Sequence, residues 1–363
     1  MDQPAILIVK LSAIGDVVHT LPALNALRRY YPSAHISWLV EEAAANLLSG
    51  HPALDRVLVS RRKTWLKGLA SAHWRQHAHE IRAFVHSLRD RHYDMVFDFQ
   101  AALKGAALIA LVRGRRKIGF GHGLEHQEFS HVVLNERIPA VSMDIHALNR
   151  GLILLKAAGI SCPNVEYRLP ITANHRLRAD QILSEKGIGP DQAFVAINPM
   201  AKWETKLWQK DKFARVADWV RTEFDLPVVF TGGPEDQSYI NAISERMKTE
   251  SANLSGRTDL MTLAALLQRA AIMITTDTGP MHISAAVETP TVALFGPTAP
   301  WRTGPYGEGH RVLRAPMACS PCFKRKCPCA AACMASINVK QVMAAAADLL
   351  RNHREPDKAK KTG

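Results

Sequence analysis

Short apolar runs alternate along this chain with longer stretches whose apolar residues recur at helical spacing. Short runs bounded by polar residues are typical of buried strands, whereas apolar residues three and four positions apart predict amphipathic helices. The strand-like runs lie at 5–9, 36–40, 95–99, 195–198, 228–231, 271–275 and 291–295. The helical patterns lie at about 77–90, 145–158, 173–186, 211–224, 236–248 and 260–270. This alternation predicts β-α-β units around parallel sheets, which is an α/β fold.

A break in the alternation near residues 160–193 predicts two doubly wound domains that face each other across a cleft. The chain has 363 residues, which is enough for two domains of ordinary size. We assign residues 1–170 to the first domain and residues 171–350 to the second. Residues 351–363 are expected to form a disordered tail, because this run is polar and contains a proline.

The first strand-like run leads directly into the segment KLSAIGDVVHTLPAL, residues 10–24. Gly15 allows a tight turn there, and Asp16 stands where the strand ends and a helix begins. Pro22 lies inside that helix, so its regular part is expected to start near Thr20. The segment lacks a G-x-G-x-x-G fingerprint and does not indicate a dinucleotide site. Asp16 itself has two interpretations, a helix cap or a catalytic carboxylate.

In the second domain, polar residues follow two successive strands in a way that suits a nucleotide. Lys202 and Lys206 follow the first of these strands, and a lysine can neutralise a diphosphate as a point charge. Glu235 and Asp236 follow the second strand in the turn TGGPED, where carboxylates are suited to ribose hydroxyls. Because ligands of parallel sheets collect at the carboxyl ends of the strands, these residues are candidates for one pocket.

A third strand end in the second domain carries the segment from Asp277 to His282. Gly279 and the proline after it can open a helix, and the unpaired amides at a helix start attract an anion. The alternative is that Asp277 or Thr278 simply caps the helix and that His282 lies in a buried wall. Together, the three strand ends predict a pocket for a nucleotide diphosphate that carries a sugar.

Charge narrows the range of partners. The net charge is +13 and the sequence pI is about 9.6, values that favour nucleic acid, an anionic membrane or a phosphorylated substrate. Arg61, Arg62 and Lys63 form a local basic cluster that either binds an anion or is a solvated loop. A nucleic-acid-binding protein is an alternative from a different class, suggested by the pI and by residues 319–333. The lack of a recognisable RNA or DNA module argues against it, and no nucleic-acid partner is expected.

The start of the chain has no secretory signal pattern, and no apolar run reaches the ~18 residues of a membrane span. A cytoplasmic protein is therefore expected. Five of the six cysteines lie within residues 319–333, and Cys319, Cys322, Cys327 and Cys333 are candidate ligands of a structural zinc ion. In a cytoplasmic protein the alternative is reduced thiols that pack or respond to oxidation. A metal here would have no catalytic part.

Several motifs resemble those of glycosyltransferase family 9, the lipopolysaccharide heptosyltransferases, and most of all its heptosyltransferase I members. The matching stretches are KLSAIGDVVHTLPAL (10–24), ISWLVEE (36–42), GHPALDRVL (50–58), KLWQ (206–209), TGGPED (231–236), TTDTGPMHISAA (275–286) and LFGPTAP (294–300). They cover nearly the whole chain in the order found in the family. The combination of G-D-V-x-H-T-L-P with D-T-G-x-x-H is the specific part of the resemblance.

The resemblance implies a GT-B architecture of two Rossmann-like domains. The donor ADP-L-glycero-D-manno-heptose would be held by the second domain, and the acceptor, the Kdo sugar of lipid A, would lie against the first. Members of this family invert the anomeric centre without a metal, so no cofactor is expected in catalysis. The protein would work in contact with the cytoplasmic face of the inner membrane. Heptosyltransferase II, or another family 9 transferase, is the alternative within this class.

Residue roles follow from the same resemblance. Asp16 becomes the general base, and the basic residues 61–63 hold phosphates and carboxylates of the acceptor. Lys206 becomes the diphosphate contact, Asp236 or Glu235 the contact to the adenosine ribose, and residues 277–282 the donor loop.

One departure from the family pattern concerns the phosphate contacts. Ala201 and Trp203 stand where some relatives carry Thr or Ser and an Arg, so Lys202 is expected to share the phosphate contact.

Overall fold

The computed structural model describes residues 3–124, 128–329 and 332–360, with side chains described as far as residue 352. The chain divides into two compact units, Met1–Pro170 and Ile171–Gly363. Each unit is built around one sheet of six parallel strands. The expected α/β class is therefore confirmed.

The sheet of the first unit has the strand order 3-2-1-4-5-6. Its strands are β1 (Ala5–Val9), β2 (His35–Glu41), β3 (Arg56–Ser60), β4 (His92–Asp98), β5 (Arg113–Phe120) and β6 (Glu136–Ile138). Val9 pairs with Leu39 on one side and with Asp98 on the other, so β1, β2 and β4 reach the same edge of the sheet. The order reverses between β1 and β4, which is the place where doubly wound sheets bind ligands.

Helices of the first unit connect these parallel strands. They are α1 (Ile14–Tyr30), α2 (Glu42–Ala45), α3 (Arg62–Gly68), α4 (Trp74–Arg89), α5 (Leu103–Leu111) and α6 (Ala147–Ala157). Apolar residues of β1, among them Leu7 and Val9, pack into a core with Leu39, Val96 and Ile109.

Helix α1 contains Pro22 without interruption. The expectation that its regular part begins near Thr20 is wrong, because the helix already starts at Ile14. An internal proline removes one backbone hydrogen bond and costs ~3 kcal/mol. The helix from Val17 to Leu27 is buried throughout, and burial of its apolar side chains outweighs that cost.

The second unit repeats the arrangement of the first, with the strand order β12-β11-β10-β7-β8-β9. These strands are β7 (Val195–Asn198), β8 (Val228–Phe230), β9 (Ala252–Asn253), β10 (Ile272–Thr276), β11 (Thr291–Phe295) and β12 (Arg311–Arg314). The helices are α7 (Ala173–Ser184), α8 (Lys210–Phe224), α9 (Gln237–Ser244), α10 (Leu260–Arg269), α11 (Gly279–Ala286), α12 (Pro300–Thr303), α13 (Ala332–Ser336) and α14 (Val339–Lys360). The order reverses between β7 and β10, so Asn198 and Thr275 lie side by side at the carboxyl edge.

All seven strand-like runs of the sequence are strands in the structure. Of the remaining strands, β6, β9 and β12 are short, β5 is rich in charge, and β3 is a short apolar run that the sequence analysis did not assign. Strand β5 reads RGRRKIGF, and its Arg116 forms two hydrogen bonds of 2.8 Å to Glu136 on β6. Paired charges of this kind let a basic sequence form a strand near the sheet edge.

The last helix, α14, differs from the expected tail. It continues through Lys360 instead of ending at residue 350, while residues 361–363 lie outside the described part of the chain. Val342, Ala346 and Leu350 bury one face of α14 against the core of the second unit. Once packing has nucleated a helix, each further residue with a backbone N–H adds a hydrogen bond at little cost, so the polar run extends it despite Pro356.

Candidate functional site

The loop between β1 and α1 is held in place by the end of β4. Asp98 closes β4, and its Oδ1 accepts hydrogen bonds from the N–H groups of Gln100 (2.9 Å) and Ala101 (3.0 Å). This turn directs Oε1 of Gln100 toward the loop, where it accepts from the N–H groups of Leu11 (2.8 Å) and Ser12 (3.2 Å). Burial raises the pKa of Asp98, although the two N–H groups act in the opposite direction. The loop that leads into α1 is thus anchored to the neighbouring strand.

Asp16 is the third residue of α1 and uses its two carboxylate oxygens differently. Oδ2 accepts the N–H of Ala13 at 2.9 Å, which is a capping contact. Oδ1 lies 3.8 Å from Nζ of Lys10, and Lys10 also donates to the carbonyl of Phe99 at 2.9 Å. The Asp16 side chain is 39% exposed. The capping contact therefore fixes the orientation of an accessible carboxylate, and it does not exclude a role as a base.

Basic residues surround a buried carboxylate at the end of β2. Glu41 Oε1 lies 3.3 Å from Nζ of Lys104 and 3.6 Å from a guanidinium nitrogen of Arg62. The Lys104 ammonium also donates a hydrogen bond to Oγ of Ser12, in the loop before α1. Glu41 therefore links Arg62, through Lys104, to the loop that leads into α1 and Asp16.

The rest of the predicted basic cluster lies at the start of α3. Arg61 Nε donates to Oε1 of Glu42 at 2.9 Å, and its guanidinium is 3.9 Å from Glu80. Lys63 is exposed. The structure brings Arg61, Arg62 and Lys63 to the carboxyl edge of the first sheet, where two of them are held by carboxylates.

In the second unit, Lys206 and Asp277 meet although they are 71 positions apart. Nζ of Lys206 lies 2.6 Å from Oδ2 of Asp277, and the hydroxyl of Thr298 donates to the same oxygen at 2.6 Å. Asp277 is buried. The Lys206 ammonium also lies 4.6 Å from the centre of the Trp203 ring. The lysine predicted to contact phosphate is thus held between a carboxylate and an aromatic ring.

Helix α11 begins beside this pair. Its N-cap is Thr278, and the Thr278 side chain makes no capping hydrogen bond, so the capping interpretation is wrong for Thr278. Gly279 and Pro280 are the first two residues of α11, and His282 is buried within it. A helix start of this kind presents backbone N–H groups to an anion.

The TGGPED turn separates its two carboxylates. Asp236 Oδ2 accepts the N–H of Gly233 at 2.7 Å and so closes the turn, while Glu235 is exposed. Burial raises the pKa of Asp236, the Gly233 contact opposes that rise, and the negative charge of Glu235 adds to it. Lys202 is also exposed. Of the two carboxylates suggested for ribose, Asp236 has a structural contact and Glu235 is the more accessible.

Five thiols lie together next to the Lys206 segment. A cavity of about 130 Å³ is lined by Cys319, Cys322, Cys327, Cys329 and Cys333, all of them reduced. Burial raises the pKa of the Cys333 thiol, and the neighbouring thiols at 319, 322 and 327 add to the rise. Within residues 3–124, 128–329 and 332–360, no three His, Cys, Asp or Glu side chains are arranged to hold a metal ion. The structural zinc ion expected from the sequence stays a prediction.

The segment that carries the thiols contacts the Lys206 segment directly. Thr205, the neighbour of Lys206, donates its hydroxyl to the carbonyl of Lys324 at 3.0 Å. The guanidinium of Arg325 lies 5.3 Å from the centre of the Trp203 ring.

Sequence reasoning missed several residues of these sites. Lys10 and Thr298 lie within the motifs 10–24 and 294–300 but were given no role. Lys10 follows β1, the strand that leads to Asp16, and Thr298 follows β11, which pairs with the predicted site strand β10, so their position at the carboxyl edge was the available signal. Lys104 lies within α5 and does not directly follow a strand, so its position in the sequence did not indicate a site residue.

Comparison with known proteins identifies the family. The model of glycosyltransferase family 9 (heptosyltransferase) matches residues 81–332, and the chain belongs to that family. It is an enzyme, a glycosyltransferase of the lipopolysaccharide heptosyltransferases. The family expected from the motifs is thus confirmed.

Individual relatives cover most of the chain. Lipopolysaccharide heptosyltransferase 1 of Pseudomonas aeruginosa is 29% identical over 324 residues, which are 89% of this chain and 87% of the relative. Lipooligosaccharide heptosyltransferase 2 of Campylobacter jejuni is 32% identical over 348 residues, 93% of this chain and 96% of the relative. The solved structure of Escherichia coli heptosyltransferase WaaC with ADP superposes with a TM-score of 0.76 at 25% identity, covering 95% and 99% of the two chains. The GT-B fold of two Rossmann-like units is confirmed.

Among the helices that the structure describes, none combines the length and the apolar character needed to cross a membrane.

Proposed function

We propose that this enzyme transfers L-glycero-D-manno-heptose from ADP-heptose to the Kdo sugar of lipid A, with inversion at the anomeric carbon. The observation that carries the proposal is the Asp16 carboxylate, which is accessible, oriented by Ala13 and accompanied by Lys10. The donor is supported by similarity to heptosyltransferase WaaC, whose structure contains ADP. The acceptor is supported by similarity to lipopolysaccharide heptosyltransferase 1.

The second unit is proposed to hold the donor. Lys206 and the start of α11 would stabilise the diphosphate, and they stabilise it most when negative charge develops on the departing ADP. Glu235 is proposed as the ribose contact because it is exposed, whereas Asp236 is engaged by Gly233. Thr278 and His282 belong to the same donor loop, and Lys202 can reach the phosphates as an exposed second cation.

Asp16 is proposed as the general base. An acceptor hydroxyl attacks the anomeric carbon while the bond between that carbon and the ADP oxygen breaks. The hydroxyl proton passes to the Asp16 carboxylate, and the electron pair of the broken bond leaves with ADP. A single displacement inverts the centre and needs one base. The proposed reaction relies on side chains and includes no step at a metal ion.

Arg61, Arg62 and Lys63 are proposed to hold the anionic acceptor. Their position at the carboxyl edge of the first sheet, near Asp16, supports this role. Because lipid A is a membrane lipid, the enzyme would work in the cytoplasm and in peripheral contact with the inner membrane.

Heptosyltransferase II is the second candidate, favoured by similarity to lipooligosaccharide heptosyltransferase 2 over nearly the whole chain. Radiolabelled ADP-heptose separates the two, with Kdo-bearing lipid A as one acceptor and the same lipid already carrying one heptose as the other. We expect transfer to the first acceptor only. Transfer to the second alone would identify the alternative, and transfer to neither would contradict both.

A further inference from the structure

Helices α3 and α4 form a hairpin on the first unit that is more basic than the chain as a whole. Residues 61–91 contain eight Lys or Arg and only two Asp or Glu. All eight basic residues are exposed. Concentrated positive charge of this kind favours contact with an anionic surface.

The tip of the hairpin also exposes large apolar side chains. Leu66, Leu69 and Trp74 are 59%, 42% and 51% exposed. Lys67 follows Leu66 in the sequence, and the guanidinium of Arg75 lies 5.5 Å from the centre of the Trp74 ring. We refer to these five residues as the hairpin patch.

Contacts between α3 and α4 keep the hairpin patch at the surface of the first unit. Trp65 is buried, with its ring 5.0 Å from that of Phe84 and its indole N–H donating to Glu80 at 2.9 Å. At Gly68 the helices approach so closely that an added Cβ would lie 1.9 Å from the ring of His77. Because Trp65 fills the space between α3 and α4, its neighbour Leu66 is left at the surface.

Both acidic residues of the hairpin are engaged by partners outside the hairpin patch, and Glu80 also lies 3.9 Å from the guanidinium of Arg61. Glu80 accepts the hydrogen bond from Trp65, and Asp90 forms two hydrogen bonds of 2.9 Å to Arg56 on β3. The carboxylate of Asp90 is therefore occupied by a cation outside the hairpin. The tip combines uncompensated positive charge with exposed Leu and Trp.

We propose that the hairpin patch docks the enzyme onto an anionic lipid bilayer. Leu66, Leu69 and Trp74 would enter the headgroup region, where the amphipathic indole ring is favoured, and Lys67 and Arg75 would meet lipid phosphates. Association with an anionic surface through basic and apolar side chains needs no membrane-spanning helix.

This inference rests on the proposed lipid-borne acceptor. Residues 61–63, proposed to bind that acceptor, lead directly into the hairpin. A docked tip would therefore bring the acceptor-binding residues close to the bilayer surface.

Vesicle binding by the full chain tests the patch separately from catalysis. The vesicles contain phosphatidylglycerol and phosphatidylethanolamine but no acceptor, and phosphatidylcholine vesicles serve as the neutral comparison. The variant Leu66→Ser with Lys67→Glu is compared with Leu177→Ser with Arg178→Glu on α7, where Leu177 is 58% exposed and Arg178 is also exposed.

We expect the hairpin variant to bind anionic vesicles about tenfold or more weakly than the wild type. The α7 variant should bind anionic vesicles as tightly as the wild type does. Neither of these two proteins should bind neutral vesicles. Trp74→Ser alone should also weaken binding, which keeps the test decisive if the double variant does not fold. The hairpin variants should keep the wild-type turnover on a soluble, deacylated Kdo acceptor. If the wild type itself transferred no heptose to this acceptor, the proposed function would fail independently of the vesicle result.

Equal vesicle binding by the hairpin variants and the wild type would overturn the proposal. It would also be overturned if the wild type bound no anionic vesicles. A change in oligomeric state of the variants, with vesicle binding unaltered, would instead assign the patch to contact between two copies of the chain.

Discussion

The ammonium group of Lys206 lies 2.6 Å from a carboxylate oxygen of Asp277, which also accepts the hydroxyl of Thr298. Asp277 is buried, and these two partners compensate for the lost contact with water. A diphosphate at this site would share Lys206 with a carboxylate already present. The lysine is therefore positioned before the donor binds, which reduces the ordering that binding requires.

Replacing Lys206 with Ala should weaken ADP-heptose binding by about tenfold or more, because hydrogen bonds to charged groups are among the strong ones. Acceptor binding should change much less. Calorimetric titration with ADP-heptose and acceptor measures the two effects separately. A drop in thermal stability is also expected, because Asp277 would lose its cation.

Lys202→Ala is the comparison variant for this prediction, since Lys202 is exposed on the same segment and is proposed as the second cation. Unchanged donor affinity and turnover in the Lys206 variant, together with a loss in the Lys202 variant, would transfer the phosphate contact to Lys202. A loss in both would show that the two lysines share it.

Asp16→Asn should lower turnover by roughly 10²–10⁴ with little effect on ADP-heptose binding. Asn keeps an oxygen that can accept the Ala13 N–H, so the start of α1 should persist, but it cannot take a proton. Initial rates at saturating substrates measure the effect, and unfolding curves check the helix cap. Retention of more than about a tenth of wild-type turnover would make Asp16 a cap or positioning residue.

Changing Arg61, Arg62 and Lys63 together to Glu should raise the apparent KM for the anionic acceptor by about tenfold or more. Donor affinity should stay nearly the same, because these residues lie in the first unit. Arg62 sits 3.6 Å from Glu41, so a Glu there also introduces repulsion. The corresponding Gln variants are therefore the control, and equal loss with a neutral truncated acceptor would indicate a folding defect.

His51 should make stability depend on pH. Burial lowers the pKa of His51 from 6.5 to about 4, and its Nδ1 accepts the N–H of Ala53 at 3.1 Å. The folded state therefore favours the neutral ring, and this stability is fully present above about pH 6.5 and lost as the pH falls toward 4. Between pH 7 and pH 4.5 the loss is on the order of 2 kcal/mol.

Urea unfolding of the wild type and of His51→Asn at both pH values measures this contribution. Asn can accept the same N–H but does not titrate, so its stability should fall less over that interval. An identical fall in both proteins would assign the pH dependence to other groups.

The zinc prediction can be tested on protein purified without added metal. A zinc ion bound by the cavity thiols requires about one zinc per chain and its loss in Cys322→Ser. Cys162→Ser is the control, because Cys162 belongs to the first unit and does not line the thiol cavity. A metal-free wild type with cooperative unfolding would support reduced thiols that pack.

Local sequence patterns predicted the buried strands and most helices of this fold. Strands such as β7 and β11 are short apolar runs between polar residues, so their burial is evident from the sequence. Strand β5 could not be recognised, because its arginines look like a loop until Arg116 meets Glu136 on the next strand. The local propensity of Pro22 predicts a late start for α1, but the burial of the helix opposes that propensity and α1 starts at Ile14.

Local motifs already bring Asp16, Lys206 and Asp277 to strand ends, because the carboxyl ends of parallel strands share one edge. The partners of these residues were decided only by the folded chain. Lys206 and Asp277 are 71 positions apart, and Glu41 and Lys104 are 63 apart. Such pairs depend on strand order and register, which arise when whole elements pack, and a local pattern of residues does not encode them.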